Sequence, residues 1–271
     1  MGTDIAFVSA SSGFHVMVYD IDTKKVTGAL ERINKRLARY AEGDRIKKGD
    51  IPEITGRIAV CNDLADINKI EIIIECASED IDVKKEVFRK LDAICRPDAI
   101  LASSTSSISI TEIASATKRP ESVIGLHFMN PAHVMKLVEI IPGIATTRET
   151  VEMAKAYVKK LGKTNVESRD YPGFLLNRML VPMINEAIYL VYENASTPES
   201  IDKVMTLGLN FPMGPLALAD MIGLDVVLAV AEEMYRGYSD VKYRPCPLLK
   251  KYVAAGYLGE KSGRGFYIYN K

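Results

Sequence analysis

The segment Gly125-Leu-His-Phe-Met-Asn-Pro131 is followed, four residues later, by Lys136-Leu-Val-Glu139. The first segment is apolar around its histidine and the second is apolar around its glutamate, a pattern typical of short buried strands. Asn130 and Pro131 favour a turn between the two segments. We therefore predict two antiparallel strands joined by a turn that is centred near His133.

This hairpin predicts which side chains face each other. His127 and Glu139 are equally distant from the centre of the turn, so the antiparallel register places them opposite each other between apolar walls. A carboxylate beside an imidazole selects one tautomer and stabilises the protonated ring, which makes His127 a candidate general base. The alternatives are a surface ion pair and a core histidine whose hydrogen bonds are satisfied.

The composition predicts a folded protein that does not bind nucleic acid. A chain of 271 residues is long enough for two domains, and 48% of its residues are hydrophobic. Basic and acidic residues both number 35, so the zero net charge favours neither nucleic acid nor a membrane surface as a partner. No apolar run is long enough for a membrane helix and we find no secretory signal, so we expect a cytoplasmic protein.

Cysteine and histidine usage argues against a structural metal. The chain has three histidines and four cysteines, and they form no cluster with metal-ligand spacing. Scattered cysteines of this kind are typical of reduced, mostly buried thiols in a cytosolic protein. The cysteines are Cys61, Cys76, Cys95 and Cys246.

The first part of the chain alternates predicted strands and helices. Strands are predicted at 15–19, 57–61, 70–74 and 99–103, and helices at 23–40 and 81–95. A capping box at Ser109-Ile-Thr-Glu112 predicts the start of a further short helix. Such alternation is typical of an α/β fold with a doubly wound, mostly parallel sheet of the Rossmann type.

The rest of the chain is predicted to be almost entirely helical. Helices are predicted at 174–192, 199–206, 216–235 and 247–256, and a last strand at 265–269. Thr197 and Pro198 are typical of the start of the second of these helices, and Gly223 lies inside the third. The first helix is apolar around most of its circumference, which predicts burial on several sides, for example by a second subunit. We therefore predict an α/β domain at 1–170 and an all-helical domain at 171–271.

Six motifs at specific spacings identify a family. They are Ala102-Ser-Ser-Thr-Ser-Ser107, Gly125 to Pro131, Lys136 to Ile140, Pro172-Gly-Phe-Leu-Leu-Asn-Arg178, Pro212-Met-Gly-Pro215 with Gly223-Leu-Asp225, and Gly263-Arg-Gly-Phe266. With these motifs the whole chain resembles the L-3-hydroxyacyl-CoA dehydrogenase family, and most of all its short bacterial 3-hydroxybutyryl-CoA type. The resemblance implies NAD-dependent oxidation of a short-chain L-3-hydroxyacyl-CoA to the 3-ketoacyl-CoA, or the reverse.

The resemblance also assigns catalytic roles. It implies that His127 takes the hydroxyl proton of the acyl-CoA substrate while Glu139 orients His127 and supports its charged form. Ser106 would hydrogen-bond the substrate oxygen, and Asn177 would help to hold the reacting group. Without the family, Ser106 is interpreted as a loop residue and Asn177 as a polar residue of an apolar helix. The family further implies a homodimer that forms through the helical domain.

Binding of NAD is expected at a further set of residues. Asp20 ends the first predicted strand, where an acid hydrogen-bonds the ribose hydroxyls and repels the 2′-phosphate of NADP. For Lys84 and Lys261 the alternative is simple exposure to solvent. The cofactor-binding residues that the resemblance implies are Gly2, Asp20, Glu79, Lys84, Ser106, Asn130 and Lys261.

The beginning of the chain departs from the family. Met1-Gly2 matches only the end of the glycine fingerprint, and the first strand and the earlier glycines are missing, which leaves two strand edges unpaired. Either an upstream start supplies the strand or the short chain is real and binds NAD poorly, and we favour the first. Ser104 also replaces the usual asparagine of its motif. The family binds CoA with polar and basic groups of the helix after its second strand, and Arg36 and Arg39 are candidates on the predicted helix 23–40.

Two other classes of function fit part of the pattern. A non-catalytic, structural member of the same fold would agree with the incomplete glycine loop but not with the catalytic residues. A two-domain dehydrogenase of small hydroxy acids commonly uses a lysine base on the interdomain helix, where this chain has Asn177. An assay with acetoacetyl-CoA and NADH would separate these alternatives.

Overall fold

The computed structural model describes residues 1–269. The chain divides into two compact units, Met1–Asp170 and Tyr171–Lys271. The first unit contains seven strands within the described residues. They are β1 (Val16–Val18), β2 (Ile58–Val60), β3 (Ile72–Glu75), β4 (Ile100–Ser103), β5 (Val123–Phe128), β6 (Leu137–Pro142) and β7 (Thr164–Glu167).

Six α-helices connect these strands. They are α1 (Gly2–Ser11), α2 (Thr23–Glu42), α3 (Ile51–Gly56), α4 (Ile81–Ile94), α5 (Ile110–Ala114) and α6 (Arg148–Lys160). Short 3-10 helices occur at Lys48–Asp50, Leu64–Lys69 and Pro120–Ser122. The predicted strands and helices of this unit are confirmed with small shifts at their ends, whereas no bounds were predicted for α1, α3, α6 and β7.

The strands form two sheets. β1 and β2 pair in parallel, and β3 to β7 form a separate five-stranded sheet in sequence order. All neighbours are parallel except β5 and β6, which are antiparallel. The prediction of a mostly parallel α/β sheet is therefore confirmed. β1 and β3 each lie at the end of a sheet.

The core of the first unit lies around β4 and β5, in which every residue is buried. Continuous apolar runs of this kind are typical of central parallel strands. Gly125 lies in β5, two residues before His127, and a Cβ atom there would lie 2.9 Å from side-chain atoms of Ile110 and Ile141. Only glycine allows this approach, so β5 packs directly against α5 and β6 beside the histidine.

The described part of the second unit contains five α-helices. Among the described residues of both units, no helix is long and apolar enough to cross a membrane. The five helices pack around a common apolar core. They are α7 (Leu176–Tyr192), α8 (Pro198–Leu209), α9 (Pro215–Ile222), α10 (Leu224–Tyr238) and α11 (Pro247–Ala254), with 3-10 helices at Val241–Tyr243 and Glu260–Ser262. The Thr197 side chain caps α8, as predicted.

Two predictions for this unit are wrong. The expected helix at 216–235 is divided into α9 and α10 by Gly223, whose φ of 102° is incompatible with a continuing helix. The expected strand at 265–269 is not a strand. The carboxylate of Asp220 accepts the backbone N–H groups of Phe266 and Tyr267 at 3.0 and 2.9 Å, so these donors are not available to a neighbouring strand.

Asp220 is itself buried in this contact. Burial raises the pKa of its carboxyl group, an effect that the N–H groups of Tyr267 and Phe266 and the hydroxyl of Tyr269 oppose. The same carboxylate fills the space that a side chain at Gly265 would need, since a Cβ atom there would lie 2.0 Å from Asp220. Asp220 thus binds the end of the described chain to α9.

Candidate active site

His127 and Glu139 face each other on β5 and β6. The antiparallel register pairs His127 with Glu139, Leu126 with Ile140 and Phe128 with Val138, which confirms the predicted hairpin. Nδ1 of His127 lies 2.7 Å from Oε2 of Glu139. His127 is 5% exposed and Glu139 is 1% exposed, so the alternative of a surface ion pair is wrong.

The geometry of this pair assigns the two ring nitrogens different roles. A carboxylate at hydrogen-bond distance from Nδ1 favours the tautomer whose proton is on Nδ1, which leaves Nε2 as the proton acceptor. When Nε2 takes up a proton, the adjacent carboxylate stabilises the imidazolium. The pair can therefore act as a general base and, in the reverse direction, as a general acid.

Ser106 lies at the same edge of the sheet as His127. β4 ends at Ser103, which is paired in parallel with Gly125 of β5. The chain that leaves β4 therefore passes beside the carboxyl end of β5, where His127 lies. Ligands of open α/β sheets bind at this edge. The structure thus brings Ser106, His127 and Glu139 into one region of the first unit.

Gly2, Asp20 and Asn130, three of the predicted cofactor residues, each lie at or near the end of a helix or strand of the first unit. α1 begins at Gly2 and no side chain caps its first turn, an arrangement suited to a phosphate group. Asp20 follows β1, and its Oδ1 accepts the N–H of Asp22 at 3.0 Å. Asn130 is exposed in the turn after β5. The acid after a strand can accept hydrogen bonds from ribose hydroxyls, and the N–H groups of the uncapped helix start can donate to a phosphate, so these residues fit NAD.

Lys84 is buried, so the alternative that it is simply exposed to solvent is wrong. Its side chain is 1% exposed, and its Nζ lies 2.9 and 3.0 Å from the two carboxylate oxygens of Glu75. Ser103 donates its hydroxyl to the same carboxylate at 2.7 Å. The Glu75–Lys84 pair therefore joins β3, α4 and β4 below the edge that carries Ser106.

Asn177 and Lys261 belong to the second unit. Asn177 is half-buried in the first turn of α7. Lys261 lies in the 3-10 helix Glu260–Ser262, and its Nζ is 2.5 Å from Oδ1 of Asp225 in α10. The side chain of Lys261 is 46% exposed, so its ion pair with Asp225 remains accessible to solvent.

A second histidine–carboxylate contact was not predicted. Nδ1 of His133 lies 2.9 Å from Oδ2 of Asp4, whose other oxygen accepts a hydrogen bond of 2.7 Å from Arg36. Burial alone would raise the pKa of Asp4, but the hydrogen bonds from His133 and Arg36 outweigh it and hold the pKa below its usual value. No local pattern predicts this contact, because Asp4 and His133 are far apart in the sequence. Arg36, a candidate for CoA binding, is engaged in it.

The cysteines agree with the prediction from their spacing. All four are free thiols, and three of them are buried while Cys76 is partly buried. Burial raises the pKa of the Cys76 thiol.

Comparison with known proteins identifies the family. The family model of the 3-hydroxyacyl-CoA dehydrogenase NAD binding domain matches residues 1–171, and that of the C-terminal domain matches residues 173–269. The chain belongs to the 3-hydroxyacyl-CoA dehydrogenase family. The resemblance deduced from the six motifs is therefore confirmed.

Individual relatives of this dehydrogenase family match over nearly their full length. The "Probable 3-hydroxybutyryl-CoA dehydrogenase" of Bacillus subtilis is 52% identical over 100% of this chain and 94% of its own. The 3-hydroxybutyryl-CoA dehydrogenase of Bradyrhizobium diazoefficiens is 48% identical over 99% of this chain and 92% of its own. The crystal structure of (S)-3-hydroxybutyryl-CoA dehydrogenase from Ralstonia eutropha superposes with a TM-score of 0.98 at 43% identity and covers 100% of this chain and 96% of that one.

Proposed function

We propose that this chain is an NAD-dependent dehydrogenase that interconverts L-3-hydroxybutyryl-CoA and acetoacetyl-CoA. The observation that carries the proposal is the buried contact of 2.7 Å between His127 and Glu139 at the edge of the sheet that also carries Ser106. Membership of the 3-hydroxyacyl-CoA dehydrogenase family supports the reaction. The substrate is supported by the names of the relatives, which specify 3-hydroxybutyryl-CoA.

His127 handles the proton of this reaction. In the direction of oxidation its Nε2 accepts the proton of the C3 hydroxyl, and Glu139 stabilises the positive charge that forms on the ring. Ser106 hydrogen-bonds the substrate oxygen, and Asn177 helps to hold the reacting group. Because the pair lies between apolar strands, water is excluded from the imidazole and its interaction with the carboxylate is strong.

NAD, when bound, supplies the acceptor for the hydride that leaves C3. We propose that the first turn of α1 at Gly2 binds its diphosphate and that Asp20 accepts hydrogen bonds from the ribose hydroxyls. The carboxylate of Asp20 would lie too close to the 2′-phosphate of NADP, so NAD is the preferred form. The remaining contacts that we propose are those of Glu79, Lys84, Ser106, Asn130 and Lys261.

The proposed activity is tested with acetoacetyl-CoA as substrate. We expect the purified protein to oxidise NADH in its presence, with kcat/KM at least about tenfold higher for NADH than for NADPH because of Asp20. Loss of NADH absorbance is the measurement, and the free keto acid acetoacetate, without CoA, is the control substrate. A protein that binds NADH without turnover, or that prefers the acid without CoA, would contradict the proposal.

We propose further that the protein forms a homodimer in the cytoplasm. The free thiols support a reducing compartment. Helix α8 buries Ile201 while Val204 and Leu207 on it are 67% and 83% exposed. An apolar helix face of this kind is typical of a surface that a second subunit covers.

The dimer is tested by changing the exposed face of α8. Leu207→Asp is expected to convert the dimer into a monomer, because a carboxylate in an apolar interface loses its hydration without gaining a partner. Light scattering after size exclusion measures the mass. Ile144→Asp is the matched control, since Ile144 is 89% exposed in the other unit and its change should leave the mass unaltered. A monomeric unmodified protein would contradict the proposal.

A further inference from the structure

One carboxylate oxygen, Oε1 of Glu79, accepts four hydrogen bonds from the segment that carries Ser106. Oε1 of Glu79 accepts the Thr105 hydroxyl at 2.6 Å, the N–H of Ser106 at 2.8 Å, and the N–H and hydroxyl of Ser107 at 3.1 and 3.2 Å. Thr105 is 1% exposed and Ser107 is 8% exposed. The neighbours of Ser106 on both sides are therefore buried against Glu79, and the backbone of Ser106 itself is bound to it.

Glu79 is held from its other side by the buried ion pair. Its Oε2 lies 3.5 Å from Nζ of Lys84, and Lys84 is bound by Glu75 at 2.9 Å. The side chain of Glu79 is 41% exposed, whereas those of Lys84 and Glu75 are 1% and 2% exposed. A rigid, buried ammonium group thus limits the positions that the Glu79 carboxylate can adopt.

The strand itself does not hold this segment. Towards the carboxyl end of β4, the last backbone hydrogen bond to the neighbouring strand β3 runs from the N–H of Ser104 to the carbonyl oxygen of Glu75 at 2.9 Å. After Ser104, the backbone N–H groups of Ser106, Ser107 and Ile108 donate to side-chain oxygens and not to a neighbouring strand. The hydroxyl of Thr105, which donates to Glu79, also accepts the N–H of Ile108 at 2.9 Å. The path of the chain from 105 to 108 therefore depends on Glu79.

A different carboxylate holds the next part of the chain. Asp170 accepts the Ser109 hydroxyl at 2.8 Å and the N–H groups of Ile110 and Thr111 at 2.9 and 2.7 Å. Asp170 thus fixes the start of α5 but makes no such contact with 105–107. Glu79 therefore holds the backbone at Ser106, whereas Asp170 holds the start of α5.

We propose that Glu79 is a positioning residue that places Ser106 for the reaction. The inference rests on the proposed function, in which Ser106 hydrogen-bonds the substrate oxygen. It adds to the contact with NAD that we propose for the same residue, because here the carboxylate acts through Ser106 and this effect on kcat should disappear when Ser106 has no hydroxyl. A catalytic group must be held within about 0.5 Å of its productive position, so loss of this anchor reduces turnover without removing any atom that touches the substrate.

A double-mutant cycle tests this inference. Glu79→Ala is expected to lower kcat for acetoacetyl-CoA about thirtyfold, the size expected for loss of charge-assisted hydrogen bonds. The same change in the Ser106→Ala background is expected to lower kcat less than about threefold, because the side chain that Glu79 positions is then absent. Any loss of NADH affinity that arises from the proposed contact of Glu79 with the cofactor should be the same in both backgrounds, because that contact does not act through the hydroxyl of Ser106.

Two matched variants accompany the cycle. Glu79→Gln keeps an oxygen acceptor in the same place and should restore kcat to within about fivefold of the unmodified protein. Asp170→Asn removes the other carboxylate of this segment, and its cost in kcat should be the same with and without Ser106→Ala because it does not act through Ser106. Thermal melting identifies any variant that fails to fold, in which case Glu79→Asp, whose shorter side chain withdraws the carboxylate from Ser106, replaces Glu79→Ala in the cycle.

Hydrogen exchange gives a readout that does not depend on activity. Glu79→Ala should increase the exchange rates of the Ser106 and Ser107 amides while leaving those of Ile110 and Thr111 unchanged. Unchanged exchange at Ser106 or equal losses of kcat in both backgrounds would each overturn the inference. An unmodified protein that shows no turnover would count against the proposed function instead, and the exchange rates would still decide the role of Glu79.

Discussion

His127→Asn is expected to lower kcat about a thousandfold or more, the upper part of the range for loss of a general base. The side-chain amide of asparagine can occupy the position of Nδ1 and donate to Glu139, so the buried carboxylate keeps a partner and the hairpin keeps its register. What the variant lacks is Nε2, the atom that we assign to the substrate proton. His127→Gln is expected to lose turnover to a similar extent.

The measurements separate a catalytic from a structural histidine. NADH affinity and the melting temperature should change little, since the effect is confined to the proton transfer. His133→Asn is the matched control, because His133 is bound to Asp4 by a contact of the same type at 2.9 Å but lies in the turn rather than opposite Glu139. Equal losses of kcat and NADH affinity in His127→Asn, or equal effects of the two variants, would mean that His127 only stabilises the fold.

Lys84→Met is expected to destabilise the first unit by about 3–5 kcal/mol, the cost of removing one partner of a buried ion pair. The reason is the burial of Glu75, whose side chain is 2% exposed. Without the ammonium group its carboxylate retains the Ser103 hydroxyl and the N–H of Ala77 but no opposite charge. Combining Lys84→Met with Glu75→Gln should recover much of the loss, because no uncompensated charge then remains.

Chemical denaturation followed by circular dichroism measures this effect. Lys90→Met is the matched control in the same helix, since Lys90 pairs with Glu86 at 2.6 Å but both side chains are mostly exposed. Exposed pairs of this kind contribute little, so the control should unfold like the unmodified protein. If Lys84→Met were as stable as Lys90→Met, or if the second change made it less stable still, the buried pair would not have the role that we assign to it.

Local patterns predicted the hairpin because its partners are close in the sequence. His127 and Glu139 belong to adjacent strands with a short turn, so alternation and turn residues are enough to set the register. The same reasoning failed at Gly223, where a helical pattern continues through a residue with φ of 102°. It also failed at 265–269, because Asp220, far away in the sequence, accepts the backbone donors that a strand would need.

Charged residues show the limit of prediction from sequence most clearly. Lys84 is in an amphipathic helix, where lysine is usually exposed, and only the opposing Glu75 on β3 explains its burial. Glu79 was assigned to the cofactor by resemblance, yet its contacts to 105–107 depend on the approach of two loops at the ends of β3 and β4. Burial and partner choice of this kind arise from packing between distant segments, which no local pattern records.

The sequence by itself determined the family, the α/β character of the first unit, the helical character of the second, and the pairing of His127 with Glu139. These follow from periodicity and from motifs whose residues are near neighbours in the chain. Only the tertiary structure decided that Lys84 is buried, that Asp4 binds His133 and that Glu79 anchors the segment of Ser106. The physical reason is that each of these contacts joins elements that the fold, and not the chain, brings together.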